Sequence, residues 1–396
     1  MLNLDYLYEK IKQEVNLYWP NFKLVAFALY DKEGAYLYNH PNFSSQNKSY
    51  YLEWNEQFNG ADTIILYEDY PTAIVNLDNY KDMESIYSII IHELFHGFQH
   101  LQGETRFPNE VLGMNYPLLK ENVEMRNRER DFLYNAVISS VKEEKVKNLM
   151  SFINLRENRR VYIDRYLDYE LSVETVEGPA FYVELHAYIQ YSNKSYEEVL
   201  NKYSKDLKDN RESTYHLRKS CYSSGLFICL LLDELFANWK ETFFGSKILL
   251  YDTLKEKVEW EFNNIDNIKI SKETISIING INEKRDEIFH QFEHENGHHL
   301  YISGDINRKA FDPMNVIVDA NKQLHKNFIT VSINKREYHI NQPVIVHYND
   351  KINTINRLHI VLDQKPVIRN DIILIQGLGE VQGDFYEVDG NYYINF

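Results

Sequence analysis

The chain has 396 residues, with 59 acidic side chains against 43 basic and a formal net charge of −16. That balance argues against general nucleic-acid or anionic-membrane binding, and no apolar run approaches the ~18 residues a membrane helix needs. Two cysteines, Cys221 and Cys229, fall on one expected helix too far apart to pair, so both read as reduced core thiols. The first residues lack the basic, apolar, small-residue progression of a secretory leader, and a cytoplasmic location is the expectation.

In chain order, residues 1–18 read as an amphipathic helix. Strand-type runs follow at Lys23–Tyr30, Gly34–Tyr38, Thr63–Tyr67 and Thr72–Leu77. Residues 81–250 are mainly helical, and Ser271–Glu295 forms a further helix. Short strands then dominate: Asn315–Asp319, Phe328–Ile333, Pro343–His347, Arg357–Leu362, Val367–Leu374 and Phe385–Phe396. The expected fold class is α+β. An N-terminal α/β subdomain (1–80) leads to a mainly helical subdomain (81–299) and a small all-β domain (300–396). Within 104–170, Leu118–Lys142 and Glu143–Tyr166 are helix-like and highly charged, which suggests an inserted helical hairpin.

The chemistry sits at His92-Glu93-Leu94-Phe95-His96. On a helix, positions i and i+4 share a face, so two imidazoles reach one metal ion and the glutamate between them points at water held there. Asp82 or Ser85 caps this helix and Gly103 ends it. Ile86, Ile89, Ile90, Leu94, Phe98 and Leu101 bury it on more than one side. The bland alternative is a core helix with two hydrogen-bonded histidines. The pattern recurs at His294-Glu295-Asn296-Gly297-His298, where Asn-Gly is a turn signal, so that copy reads as a polar loop at a helix end.

A catalytic zinc usually takes three protein ligands. His100 lies about 12 Å along the axis from His92 and cannot join it on one ion. Glu177, in Glu174-Thr175-Val176-Glu177-Gly178-Pro179-Ala180-Phe181-Tyr182-Val183-Glu184, is the better candidate. Its small successors would let a second helix approach closely, and Pro179 suggests that Glu177 sits near a helix start. Glu174, Glu184 and Gln99 are candidate partners for the histidines.

H-E-x-x-H followed by E-G-x-A-x-Y-x-E resembles the gluzincin metallopeptidases, the group of thermolysin-like proteases and the leucyl and alanyl aminopeptidases. Tyr222-Ser223-Ser224-Gly225, ahead of an apolar helix, is similar to that family's Y-x-x-G, with Ser224 where lysine is common. The resemblance covers roughly residues 72–241. It implies a zincin-like catalytic domain, one Zn2+ held by His92, His96 and Glu177, Glu93 as general base and Tyr222 as oxyanion donor. Tyr215, His186 and His216 are alternative donors. It also implies that the strand Thr72–Leu77 is a sheet edge that takes an extended peptide or protein substrate, though it could equally be an ordinary sheet strand. No G-x-M-E-N segment precedes the helix, which disfavours aminopeptidase action and leaves an endopeptidase or peptide processor. Two other readings stay open: a catalytically silent zincin-fold protein that binds peptides or a partner, and a zinc hydrolase of a non-peptide ester or amide.

Overall fold

The computed structural model describes residues 4–43, 48–55, 57–58, 61–349, 355–369 and 372–396. It is an α+β chain of two compact units: residues 1–109 with 119–270, and residues 110–118 with 271–396. The N-terminal sheet and the helical region therefore form one unit rather than two subdomains. The boundary to the β-rich unit falls at 270/271, not near 300, because the last long helix belongs with the β strands.

The first unit opens with α1 (Leu4–Tyr18), β1 (Ala26–Tyr30), β2 (Gly34–Tyr38), β3 (Ser49–Glu53), β4 (Thr63–Tyr67) and β5 (Tyr70–Asn76). The sheet order is β3-β2-β1-β5-β4, with β1 and β5 parallel and the remaining pairs antiparallel. The Thr72–Leu77 run is thus an inner strand, hydrogen-bonded on both sides. The edge on that flank is β4, a correction to the edge-strand expectation. Its all-buried core of Thr72, Ala73, Ile74 and Val75 is what an inner strand requires.

Helix α2 (Met83–Leu101) follows, with Asp82 as N-cap accepting from the Ser85 amide at 2.8 Å. It ends where Gly103 takes φ +73°, the left-handed value glycine tolerates. A short helix, α3 (Glu110–Met114), belongs to the second unit. The first unit resumes with α4 (Lys120–Ile138), α5 (Lys142–Ile163) and α6 (Arg165–Tyr191). Then come α7 (Tyr196–Tyr203), α8 (Lys205–Lys208), α9 (Asn210–Tyr215), α10 (Leu217–Leu235), α11 (Trp239–Phe243) and α12 (Leu250–Lys255).

Helices α4 and α5 are the expected hairpin, and much of their charge faces inward. Arg126, Arg130, Arg156 and Arg159 are each 2 % exposed or less, and Glu129, Glu170 and Glu174 are fully buried. Arg156 holds Glu174 at 2.7 Å and Glu129 at 3.0 Å. Arg159 holds Glu129 at 2.6 Å and also pairs with Glu170. Arg130 meets no carboxylate among the described residues. Burial and the neighbouring Arg126 lower its pKa to about 10. Buried charge is costly unless paired and hydrogen-bonded, and the paired groups of this network knit α4, α5 and α6 together with α10, through Ser220 and Ser224.

In the second unit, α13 (Lys272–Glu293) precedes a long strand β6 (His298–Phe311), then β7 (Val316–Asp319), β8 (Lys322–His325), β9 (Ile329–Ile333), β10 (Arg336–Ile340), β11 (Val344–Tyr348) and β12 (Ile355–Leu362). The strands β13 (Val367–Arg369), β14 (Ile372–Ile375), β15 (Gly379–Val381), β16 (Asp384–Val388) and β17 (Asn391–Asn395) complete it. The main sheet runs β10-β9-β6-β12-β11-β8-β7, with β17 pairing parallel to β6 and β16 antiparallel to β17. The β13-β14-β15 meander is separate. A core of Leu300, Ile302, Val331, Val346, Leu358 and Ile360 lies under one sheet face. Phe289 and Phe292 of α13 cover Leu324 and Ile345 on another. Among the described residues no helix is long and apolar enough to cross a membrane.

Candidate metal centre

Helix α2 is buried almost all round, so its polar residues cannot turn to solvent and must find partners inside. Gly97 lets it cross the sheet closely. A Cβ there would stand 2.5 Å from Val25 Cγ2 and 3.1 Å from Ile64 Cδ1. His92 and His96, one turn apart, bring their Nε2 atoms to 3.1 Å.

The third group comes from α6. Glu177 Oε2 lies 3.1 Å from His96 Nε2 and 3.7 Å from His92 Nε2. Glu177 is mid-helix and not near a helix start, since α6 runs through Pro179. That proline removes one amide donor, a cost the helix carries inside a packed bundle. Helix α10 crosses here at backbone distance: a Cβ on Gly178 would stand 2.6 Å from Gly225 Cα, and the reverse holds equally. The glycine following Glu177 and the glycine of Tyr222-Ser223-Ser224-Gly225 therefore pack against each other, which brings Glu177 and Tyr222 into one site.

On α10, alternate faces do different work. Ser220 accepts from Arg126 and Arg130 at 2.6 and 2.9 Å, and Ser224 donates to Glu174 at 2.5 Å, so this face is tied to the buried charge network. The opposite face carries Arg218 and Tyr222 to the site. The Tyr222 ring stacks on His92, with centroids 6.1 Å apart and 18° between planes. Burial, followed by the charge of Glu177, raises its pKa above the ordinary phenol value.

Each histidine has a fixed partner on Nδ1. His92 Nδ1 meets Glu184 Oε2 at 2.8 Å, and Glu184 Oε1 accepts from the Tyr203 hydroxyl at 2.9 Å. His96 Nδ1 meets Gln99 Oε1 at 2.7 Å. The Gln99 amide is oriented by Nε2 donating to the Val176 carbonyl at 2.8 Å. Both Nδ1 partners are acceptors, so this network assigns the proton of each neutral imidazole to Nδ1. The two Nε2 atoms then face each other with lone pairs, and Glu177 Oε2 is a buried oxygen with no hydrogen-bond donor among the described residues. Three lone-pair atoms converging on one point, all within 4.8 Å of one another, fit a cation.

Without a cation the same cluster draws protons. Burial opposes charge on His92, yet the neighbouring carboxylates of Glu177 and Glu184 outweigh it and hold its pKa well above the ordinary value. His96 is raised despite burial by the charge of Glu177. Glu177, also buried, is held well below the usual carboxylate range by His96 and His92. Burial pushes Glu93 up, against the opposing pull of the two histidines.

Of the expected site residues, His92, His96, Glu177 and Tyr222 come together, with Glu184 and Gln99 behind the histidines, and Glu93 is buried on the same helix and feels the charges of both histidines. Glu174 instead serves the buried arginine network. His100 is exposed at the last turn of α2. His186 packs on Tyr182 with ring centroids 4.4 Å apart, and His216 pairs with Glu212 at an exposed position. In the second H-E-x-x-H, His294 caps α13 and His298 begins β6, so the shared helical face is lost. Arg218 and Tyr203 were not expected. Arg218 lies one turn before Tyr222, a spacing that does not by itself distinguish it from a solvent-facing arginine, and nothing in the sequence marks Tyr203.

Comparisons with protein-family models, with curated proteins and with solved structures find no match for this chain.

Proposed function

We propose that the chain is a zinc-dependent peptidase of gluzincin type with a zincin-like catalytic unit, acting as an endopeptidase or peptide processor. The observation that carries this reading is the convergence of His92 Nε2, His96 Nε2 and Glu177 Oε2, with both Nδ1 atoms already engaged. These three residues would hold one Zn2+. When bound, that ion supplies Lewis acidity to a carbonyl group and to water.

The chain's own groups do the rest. Glu93, between the two histidines, takes the proton of the attacking water and returns it to the leaving amine. The Tyr222 hydroxyl donates a hydrogen bond to the oxyanion developing on the scissile carbonyl. Glu184 and Gln99 keep both imidazoles in the tautomer that offers Nε2. The edge strand β4, whose Ile64 lies beside Gly97 of α2, offers main-chain groups to an extended peptide. That feature favours a peptide over a small ester.

The first experiment is the metal content of the purified protein beside its Glu177→Ala variant. About one zinc per chain, bound at least ~10-fold more weakly in the variant, is expected from the loss of a ligand. A wild-type protein that takes up no zinc when it is supplied would overturn the reading. Peptides and small esters assayed side by side then define the substrate.

A further inference from the structure

We propose that Arg218 is a positioning residue of this centre, which occupies one oxygen of Glu177 so that only the other is presented to the histidines. The inference rests on the metal-centre reading above. A carboxylate offers two equivalent oxygens, and nothing intrinsic to Glu177 selects between them. The selection is visible in the structure. Arg218 donates to Glu177 Oε1 at 2.7 Å, while Oε2 points at the two Nε2 atoms.

The placement follows from the fold. Arg218 lies one turn before Tyr222, and residues four apart share a helix face, so one face of α10 delivers Arg218 to Glu177 and the Tyr222 ring to His92. The opposite face is anchored through Ser220 and Ser224, which restricts rotation of the first turns of α10. The Glu177 side chain is 7 % exposed and that of Arg218 28 %, so the guanidinium lies on the solvent side of the carboxylate. A charge-assisted bond at this distance is among the stronger hydrogen bonds available to a side chain. With it in place Glu177 remains charged and oriented. Removing it frees the carboxylate to rotate, to offer both oxygens, or to turn to solvent.

The test is metal affinity and cobalt spectroscopy, neither of which requires a substrate. Zinc dissociation constants, by chelator competition, and the visible spectrum of the Co2+ form are measured for wild type, Arg218→Gln, Arg218→Met and Arg218→Lys. Loss of an outer partner of a ligand typically weakens binding about 10–100-fold. That loss is expected for Gln and Met, with a shift in the position or intensity of the cobalt bands and partial recovery in Lys. Folded Gln and Met variants with wild-type affinity and spectrum would overturn the inference while leaving the metal centre intact. Failure of both variants to fold would overturn it too, by making Arg218 a residue of the fold rather than of the site. If wild type itself binds neither metal, the metal reading fails and this inference falls with it.

Discussion

At the scale of single residues, the site separates groups that hold from groups that react. His92 and His96 are each fixed from behind through Nδ1 and Glu177 is fixed through Oε1, so three directions are set before any ligand arrives. In the proposed peptidase, Glu93 and Tyr222 are the groups left to act. Glu93→Gln is expected to keep zinc at wild-type stoichiometry and to lower turnover by at least ~10²-fold, the usual worth of a general base. Metal analysis together with a peptide-cleavage assay reads both, and full activity in that variant would refute the role. Tyr222→Phe is expected to lower kcat by about 10²–10³-fold with little change in KM, because the bond it loses forms with charge that develops only in the transition state.

At the scale of elements, the decisive contact is the crossing of α6 and α10 at Gly178 and Gly225. Backbone faces backbone there, so no flexible side chain can give way to an added Cβ. Gly178→Ala is therefore expected to destabilise the first unit by about 1–3 kcal/mol and to weaken zinc binding as well, since Glu177 is the adjacent residue. Urea unfolding followed by tryptophan fluorescence suits this measurement: Trp19, Trp54, Trp239 and Trp260 all lie in the first unit. The same readout tests the buried charge network. Arg156→Met strands Glu174 without its cation, while Glu129 keeps Arg159, and is expected to cost roughly 3–5 kcal/mol. Arg160→Ala, four residues on, loses an exposed pair with Asp168 and should cost no more than about 1 kcal/mol.

At the scale of the whole molecule, the two units carry separate cores and separate electrostatic sensitivities. The second unit buries His325, whose two ring nitrogens have no hydrogen-bond partner among the described residues, and His359, stacked on Tyr301 at 4.3 Å and in contact with His299. Burial lowers His325 to about 4, aided by Arg308. It lowers His359 to about 3, aided by the charges of His299, His347 and Arg357. Both folded values lie below that of an unfolded histidine, so the unfolded chain binds more protons between them. Stability is then full above about pH 6.5 and falls as the pH drops toward 4, by up to roughly 1.4 kcal/mol per pH unit for each histidine. Hydrogen exchange of the second-unit strands between pH 7 and 4.5, above the main carboxylate range, should show this loss. His325→Phe should reduce its slope, and an unchanged slope would contradict the assignment.

What the amino-acid sequence determined by itself is whatever depends on near neighbours in the chain. The i,i+4 histidines, the Asp82 cap, the Gly103 stop and the alternation of short strands after residue 300 all follow from local geometry. So does the failure of the second H-E-x-x-H, where Asn296-Gly297 breaks the helix between its histidines. The inner position of β5 was decided by tertiary structure, because edge and centre differ only in which strands pair on either side. Pro179 misled as a helix-start signal, because bundle packing carried α6 through it. The inward turn of the charges on α4 and α5 depended on acids and bases meeting across three helices, which a charge count along one helix cannot reveal. The same holds for Arg218. One turn from Tyr222 it looks like any solvent-facing arginine, and only the Gly178–Gly225 crossing brings Glu177 within its reach.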